Sequence, residues 1–147
     1  MFGLGVSSSI EQTLASGTTI ICDRYAFSGV SFSASKGLPL EWCRSPDISL
    51  PSPDLTLFFD VSPGKARERG GYGEERYEKE EIQARVRTIF KRLVDEAHAH
   101  GDCGKIVVID ADHDIDTVGA TVWKEVQQYL TPHSTSSGRL WLSHSLS

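Results

Sequence analysis

Positive charge is scarce in this chain. Fifteen lysines and arginines stand against 20 aspartates and glutamates, for a net charge of -5 over 147 residues. That balance argues against nucleic acid as the main partner, although a small acidic domain can still bind a nucleotide through a few local arginines. Cysteine is also sparse. Cys22, Cys43 and Cys103 are odd in number and show no CxxC spacing, which supports neither a disulfide framework nor a zinc site. Reduced thiols in a cytoplasmic protein are the expectation. The opening Met1-Phe2-Gly3-Leu4-Gly5-Val6 lacks a basic n-region, is too short to span a bilayer, and carries Phe2 where a myristoylation signal needs glycine. No targeting or membrane segment is read. A further absence is GxxxxGK followed by Ser or Thr, the loop whose backbone amides ordinarily cradle donor phosphates. Gly64-Lys65 is followed by Ala66 and Gly104-Lys105 by Ile106, neither with the upstream glycine, and Gly3-x-Gly5 precedes serines without a lysine.

What remains is a chain of one-domain length with ordinary globular composition. Thr18-Thr19-Ile20-Ile21-Cys22, Leu55-Thr56-Leu57-Phe58-Phe59-Asp60-Val61 and Ile106-Val107-Val108-Ile109-Asp110 are short apolar runs without polar alternation. Such runs read as strands buried on both faces. Helical stretches between them predict a parallel α/β sheet of about three strands with flanking helices. The clearest helix is expected from about Glu78 to His100, where Ile82, Val86, Ile89, Phe90, Leu93, Val94 and Ala97 form a stripe for packing on the sheet. A second fits Ile115 to Tyr129, with Val118, Val122, Val126 and Tyr129 on one side. Ile10 to Ser16 reads as the last turns of a helix, and Leu38 to Arg44 as a short one within the proline-rich connection Ser31 to Pro53. Thr131 to Ser147 is serine-rich, and weak order is expected there despite the apolar knot Leu140-Trp141-Leu142. Three parallel strands would leave one sheet edge bare, so the chain is expected to be a fragment.

Two constellations carry chemistry. Asp23 and Arg24 follow the first apolar run, and ligands of open α/β sheets bind beyond the carboxyl ends of the strands. There an arginine fork can grip a phosphate and a carboxylate can organise a hydrated magnesium ion. The plainer alternative is a loop salt bridge. Arg67-Glu68-Arg69-Gly70-Gly71-Tyr72-Gly73-Glu74-Glu75-Arg76-Tyr77-Glu78 interrupts two helical stretches with glycines and alternating charge. It reads either as a flap whose arginines reach a phosphoryl group on closing or as a solvated helix junction laced by ion pairs.

Four motifs, in order, resemble thymidylate kinase of the eukaryotic type. They are Asp23-Arg24-Tyr25-Ala26-Phe27-Ser28-Gly29-Val30, Glu41-Trp42-Cys43, Leu50-Pro51-x-Pro53-Asp54-Leu55, and Arg69-Gly70-x-Tyr72-Gly73-x-Glu75-Arg76-Tyr77-Glu78 with Gln83. The resemblance covers roughly Ile10 to Leu130, with residues 1–9 outside it and 131–147 as a tail. It implies a P-loop NTPase-type parallel sheet and transfer of the γ-phosphoryl group of MgATP to dTMP, giving dTDP. Carried over by position, Arg24 resembles the arginine that holds the dTMP phosphate, and Asp23 the acid that orders the Mg2+ shell through water. Ser28 and Gly29 fall in the stretch that lines the thymine pocket, and Phe32 resembles an aromatic packed beneath it. Arg69 and Arg76 fall in the lid over the ATP phosphates. Tyr77 and Gln83 sit where the family closes on the acceptor nucleotide. Asp112 and His113 resemble the loop bordering adenine, with a solvent-exposed histidine as the plainer reading of His113. The implied partners are dTMP, ATP and, as in the family, a second copy through helices. No nucleic acid or membrane is implied.

By the same resemblance the chain begins after the family's first strand, phosphate loop, first helices and Phe-Pro-x-Arg segment. Two further readings stand beside the kinase. One is another P-loop kinase acting on a nucleoside or nucleotide, separable by a panel of acceptors. The other is a non-catalytic binding or dimerising fragment, separable by size-exclusion with the complete kinase. Loss of one comparable catalytic donor costs roughly 10²- to 10³-fold in rate, so this chain alone should turn over weakly or not at all. A coupled assay showing near-normal dTMP-dependent ATP consumption would overturn that expectation.

Overall fold

The computed structural model of the chain describes residues 3–69, 76–100, 104–130 and 138–142, with side chains described except at 3–6, 76–80 and 100. In chain order, α1 spans Gly3–Ala15, α2 Ala26–Ser35 and α3 Leu40–Arg44, which runs into a 3-10 turn at Ser45–Asp47. Then follow β1 (Leu55–Asp60), α4 (Pro63–Glu68), α5 (Arg76–His100), β2 (Lys105–Asp110) and α6 (Ile115–Val126), closed by a second 3-10 turn at Gln127–Tyr129.

The frame is one βαβ unit. β1 and β2 pair in parallel from Leu55 opposite Lys105 to Asp60 opposite Asp110. Parallel neighbours require a crossover, which α4 and α5 provide. Gly104 makes the entry to β2 close enough for Lys105 N to donate to Asp54 O at 3.1 Å. A Cβ at Gly104 would stand 2.0 Å from Pro53 O, and its φ of +66° is a conformation L side chains rarely adopt, so both constraints require glycine. Local chemistry sets the helix starts. Ser62 caps α4 by accepting from Lys65 N at 3.2 Å, with Pro63 in the first position. Asp114 caps α6 by accepting from the amides of Asp116 and Thr117 at 3.1 and 2.9 Å.

The core sits between the sheet, α5 and α2. Val86, Phe90, Leu93, Val94 and Ala97 of the expected α5 stripe are buried, whereas Ile82 is partly exposed. Four rings cross this core in sequence. Phe58 of β1 stacks on Phe90 at 3.9 Å with 12° between planes, Phe90 meets Phe27 of α2 at 6.2 Å, and Phe27 meets Trp141 edge-on at 5.6 Å. Each such pair adds about 0.5–1.5 kcal/mol beyond the area it buries. α6 also lies against β2, with its Val118, Val122 and Val126 and Tyr129 of the following turn half-buried, and Lys105 Nζ donates to Glu125 at 2.7 Å.

The α/β class with a parallel sheet and flanking helices matches expectation, but three details differ. Thr18–Cys22 forms no strand. It belongs to no helix or strand and is largely exposed, with Ile21 93% accessible, and it joins no sheet among the described residues. Hydropathy marks a segment suited to burial, but a ladder needs a neighbouring backbone and covering layers. The sheet of the described residues therefore has two strands. The helix expected at Ile10–Ser16 starts at Gly3, so the short N-terminal segment continues it. Finally, the weak order expected after Thr131 does not hold for 138–142. Leu140 and Trp141 are fully buried, and residues 138–140 are hydrogen-bonded to 49–52.

A buried arginine ties these layers. Arg44, 2% exposed, pairs with Glu41 at 3.1 Å and with Glu96 of α5, and its guanidinium lies over Trp141 at 5.7 Å. Burial alone would raise the Glu96 carboxyl, but hydrogen bonds and charge from Arg44 and Arg92 outweigh it and hold the group below the usual glutamate range. A depressed pKa stabilises the fold fully above the unfolded value of about 4.3, and that contribution is lost as pH falls through the folded pKa. Glu96→Gln should therefore cost about 1–3 kcal/mol at neutral pH and lose less than the parent on acidification. Urea unfolding of both proteins at neutral and acid pH checks this, and equal acid losses would refute it.

Candidate functional site

The first group of expected site residues lies where the segment after α1 turns into α2. Arg24 adopts φ +66°, a left-handed conformation outside the ordinary repertoire of an L residue. Holding it there costs of order 1–3 kcal/mol, which the surroundings must offset. Its guanidinium stands over the Phe32 ring at 5.9 Å. Neither Asp23 nor Arg24 makes an ion pair with a described residue, so the loop salt bridge is not formed, and both side chains face solvent. Ser28 is half-buried and Gly29 exposed, and both amides close onto Tyr25 O, at 3.1 and 3.4 Å. A Cβ on Gly29 would meet nothing within 4 Å, so packing does not require glycine there. Gln83 lies exposed on α5.

The second group lies beyond the carboxyl ends of β1 and β2, where the topology of α/β sheets places ligands. Arg69, just past α4, donates from Nη2 to His113 O at 2.7 Å. Asp112 Oδ1 accepts from Ser62 N at 2.7 Å. Hydrogen bonds from Ser62 first, and then the charges of Arg69 and Lys65, hold the Asp112 carboxyl below its ordinary range. His113 is exposed, with Nε2 3.5 Å from Asp110 Oδ2. Thus Arg69, Asp112 and His113, from separate parts of the chain, form one cluster. Arg76 and Tyr77 belong to the first turn of α5, but their side chains, like residues 70–75, lie outside the described residues.

Sequence reading missed two members of this end of the sheet. Ser62 links α4 to the β2 loop, and its signal was the Ser-Pro pair that opens a helix. Asp60 accepts from Arg87 Nη2 at 2.7 Å, with Lys91 Nζ at 3.5 Å, fixing α5 against the end of β1. The hydrogen bond to Asp60, outweighing burial, raises the Arg87 pKa and keeps the guanidinium charged. A hollow of about 540 Å³ between the end of α2 and α5 is lined by Ala34, Ser35, Ala84, Thr88 and Ile89 among others. It contains none of the expected site residues. Among the described residues no three His, Cys, Asp or Glu side chains gather as a metal cluster. No helix among them is long and apolar enough to cross a membrane.

A family model described as thymidylate kinase matches residues 4–122. Thymidylate kinase of Caenorhabditis elegans is 45% identical over 115 residues, covering 78% of this chain and 50% of its own length. That of Arabidopsis thaliana is 52% identical over 88 residues, covering 60% and 34%. The solved thymidylate kinase structure from Candida albicans superimposes with a TM-score of 0.69 at 30% identity, covering 86% of this chain and 62% of that one. The chain spans about half the length of the curated relatives it matches.

Beside Arg24, the Tyr25 hydroxyl donates to Pro51 O at 3.1 Å. Burial, and then negative charge at Cys22 and Asp47, push its pKa up to about 12 against a smaller pull from Arg139. The neutral phenol therefore stabilises the fold fully below the unfolded pKa of about 10, and this is lost as pH rises through the folded value. The ultraviolet difference titration between the parent and Tyr25→Phe should show this tyrosinate forming near pH 12. A difference signal centred near 10 would refute the burial argument.

Proposed function

Because the chain belongs to the thymidylate kinase family, we propose that it serves phosphoryl transfer from ATP to dTMP, with Arg24 as the grip on the acceptor phosphate. The observation that carries this is the state of Arg24: a guanidinium held through a strained backbone, exposed, and without an ion-pair partner among the described residues. A cation so placed is free for an anion, and the arginine fork matches a phosphate's oxygens. In the reaction an oxygen of the dTMP phosphate attacks the γ-phosphorus of ATP. The bond from γ-phosphorus to the β,γ-bridging oxygen breaks, and dTDP and ADP result.

Each remaining residue has a role set by its place. Arg24 holds the acceptor oxygen in line. Ser28 and Gly29 offer the thymine a close approach along the first turns of α2. In mid-helix a glycine costs about 1 kcal/mol relative to alanine, and the open space at its Cβ gives no packing reason for it, which fits room kept for a base. Phe32 carries Arg24 on its face and the base at its edge. Tyr77 and Gln83 close on the nucleoside from α5, the tyrosine crowding out a ribose hydroxyl. Arg69 and Arg76 neutralise charge on the transferring group. Asp112 and His113 border the adenine, and Arg69, now on the His113 carbonyl, lies on the donor side.

Asp23 fits the Mg2+ that accompanies ATP. It is a single carboxylate without a described partner, and magnesium is usually held by one or two carboxylates with waters and substrate phosphates. The bound ion would neutralise charge on the β- and γ-phosphate oxygens. A cytoplasmic setting and a homodimer through helices complete the reading.

The test is calorimetric titration of the full chain with dTMP. Replacing charge-assisted hydrogen bonds worth about 1.5–3 kcal/mol, Arg24→Ala should weaken binding roughly 10- to 100-fold while the circular dichroism spectrum is unchanged. Equal affinity in parent and variant would remove Arg24 from the phosphate site.

A further inference from the structure

Among the described residues, three non-glycine residues have positive φ: Arg24 at +66°, Ser49 at +71° and Trp141 at +56°. Far apart in sequence, they lie along one chain of contacts. Residues 138–140 run antiparallel to 49–52, with Pro51 bridged to Arg139. Ser52 N donates to Gly138 O at 2.8 Å, Leu140 N to Leu50 O at 3.0 Å and Ser49 N to Leu140 O at 3.1 Å. Arg139 reinforces this by donating to Ser49 O at 3.2 Å and pairing with Glu11 of α1. On its other side Pro51 O accepts from the hydroxyl of Tyr25, the neighbour of Arg24. Beyond the ladder, Trp141 meets Phe27, two residues after Tyr25, edge-on. The segment therefore reaches the head of α2 by two routes, a hydrogen bond through Pro51 and a ring contact through Phe27.

Strained backbone persists only where its surroundings over-determine it. Asp23 and Arg24 provide little of that restraint themselves: they are exposed and make no ion pair with a described residue, and the Arg24 contact with the Phe32 ring at 5.9 Å engages the end of a long side chain rather than the backbone. The restraint comes from Tyr25 and Phe27, and both are anchored on Pro51 and Trp141.

We propose that Gly138–Leu142 is a positioning strap: through Pro51–Tyr25 and Trp141–Phe27 it holds the Asp23–Tyr25 turn in the conformation from which Arg24 meets the acceptor phosphate. Tyr25 and Trp141 are its positioning residues. The ligand part rests on the function proposed above, whereas the mechanical part is independent of it.

Amide hydrogen exchange on the full chain separates the two. In Trp141→Ala, amides of 24–29 and 49–52 should exchange about fivefold faster or more, the factor one net hydrogen bond corresponds to, while those of β1 and β2 keep their protection. Trp141→Phe should restore most of the difference. If Trp141→Ala does not fold, Tyr25→Phe cuts one route without emptying the core and should accelerate 24–29 while leaving 49–52 unchanged. Unchanged exchange at 24–29 in the folded variants, or uniform acceleration throughout, would overturn the strap. Titration with dTMP then reads the consequence. Tyr25→Phe should weaken binding by a similar factor, and equal affinity would show that the strap does not position Arg24. Absence of dTMP binding to the parent would count against the proposed function alone, with the exchange result deciding the strap.

Discussion

The contact on which most of this structure depends is the stack of Phe58 on Phe90. It is where the two-strand sheet meets the long helix, and the ring of Phe90 passes that contact on to Phe27 and so to Trp141. A two-strand sheet has little stability of its own. Here it is a surface onto which α5 docks, and α5 in turn provides the surface for α2. Aromatic rings suit this use because each offers two faces and an edge and loses few rotamers on burial.

The buried Arg44 depends on the same arrangement. A guanidinium removed from water is costly unless its charge is met, and Arg44 meets Glu41, Glu96 and the Trp141 ring together, with its Nε left without a hydrogen-bond partner among the described residues. It joins α3, α5 and the C-terminal residues at one point. The core thereby connects to both chemical ends of the molecule. Asp60 and Arg87 fix α5 at the carboxyl end of the sheet, beside Arg69, Asp112 and His113. Phe27 opens the helix that follows Asp23 and Arg24. The two ends differ in character. The Arg69–Asp112–His113 cluster is held by hydrogen bonds among its own loops, whereas Asp23 and Arg24 have no ion-pair partners among the described residues.

Much of this was legible along the chain. The stripe from Val86 to Ala97 is read from helical periodicity because the side that packs must recur about every 3.6 residues. β1 and β2 are read from β-branched and aromatic runs. The Asp23-Arg24 pair stood out as a candidate site because charged groups directly after an apolar run cannot continue a buried strand. Thr18–Cys22 was misread. Its composition reports affinity for a buried sheet, and composition cannot report whether a neighbouring strand is present to pair with it.

Leu140 and Trp141 show the opposite error. Surrounded by serines they resemble a loose tail, yet they are among the most buried residues in the molecule. Nothing in their neighbours signals this, since their partners, Phe27, Arg44 and Leu50, lie some ninety or more positions away. By itself, then, the sequence determined the elements with a local cause: helical periodicity, caps, the glycine before β2, and the charged residue types of the Asp23–Tyr25 turn. Tertiary structure alone decided which apolar segment is covered, that Arg24 stands over Phe32 with a left-handed backbone and no ion pair to a described residue, and that residues 138–142 reach the head of α2. The physical reason is that burial, pairing and strain belong to contacts between distant segments, and no local pattern records which distant segment will arrive.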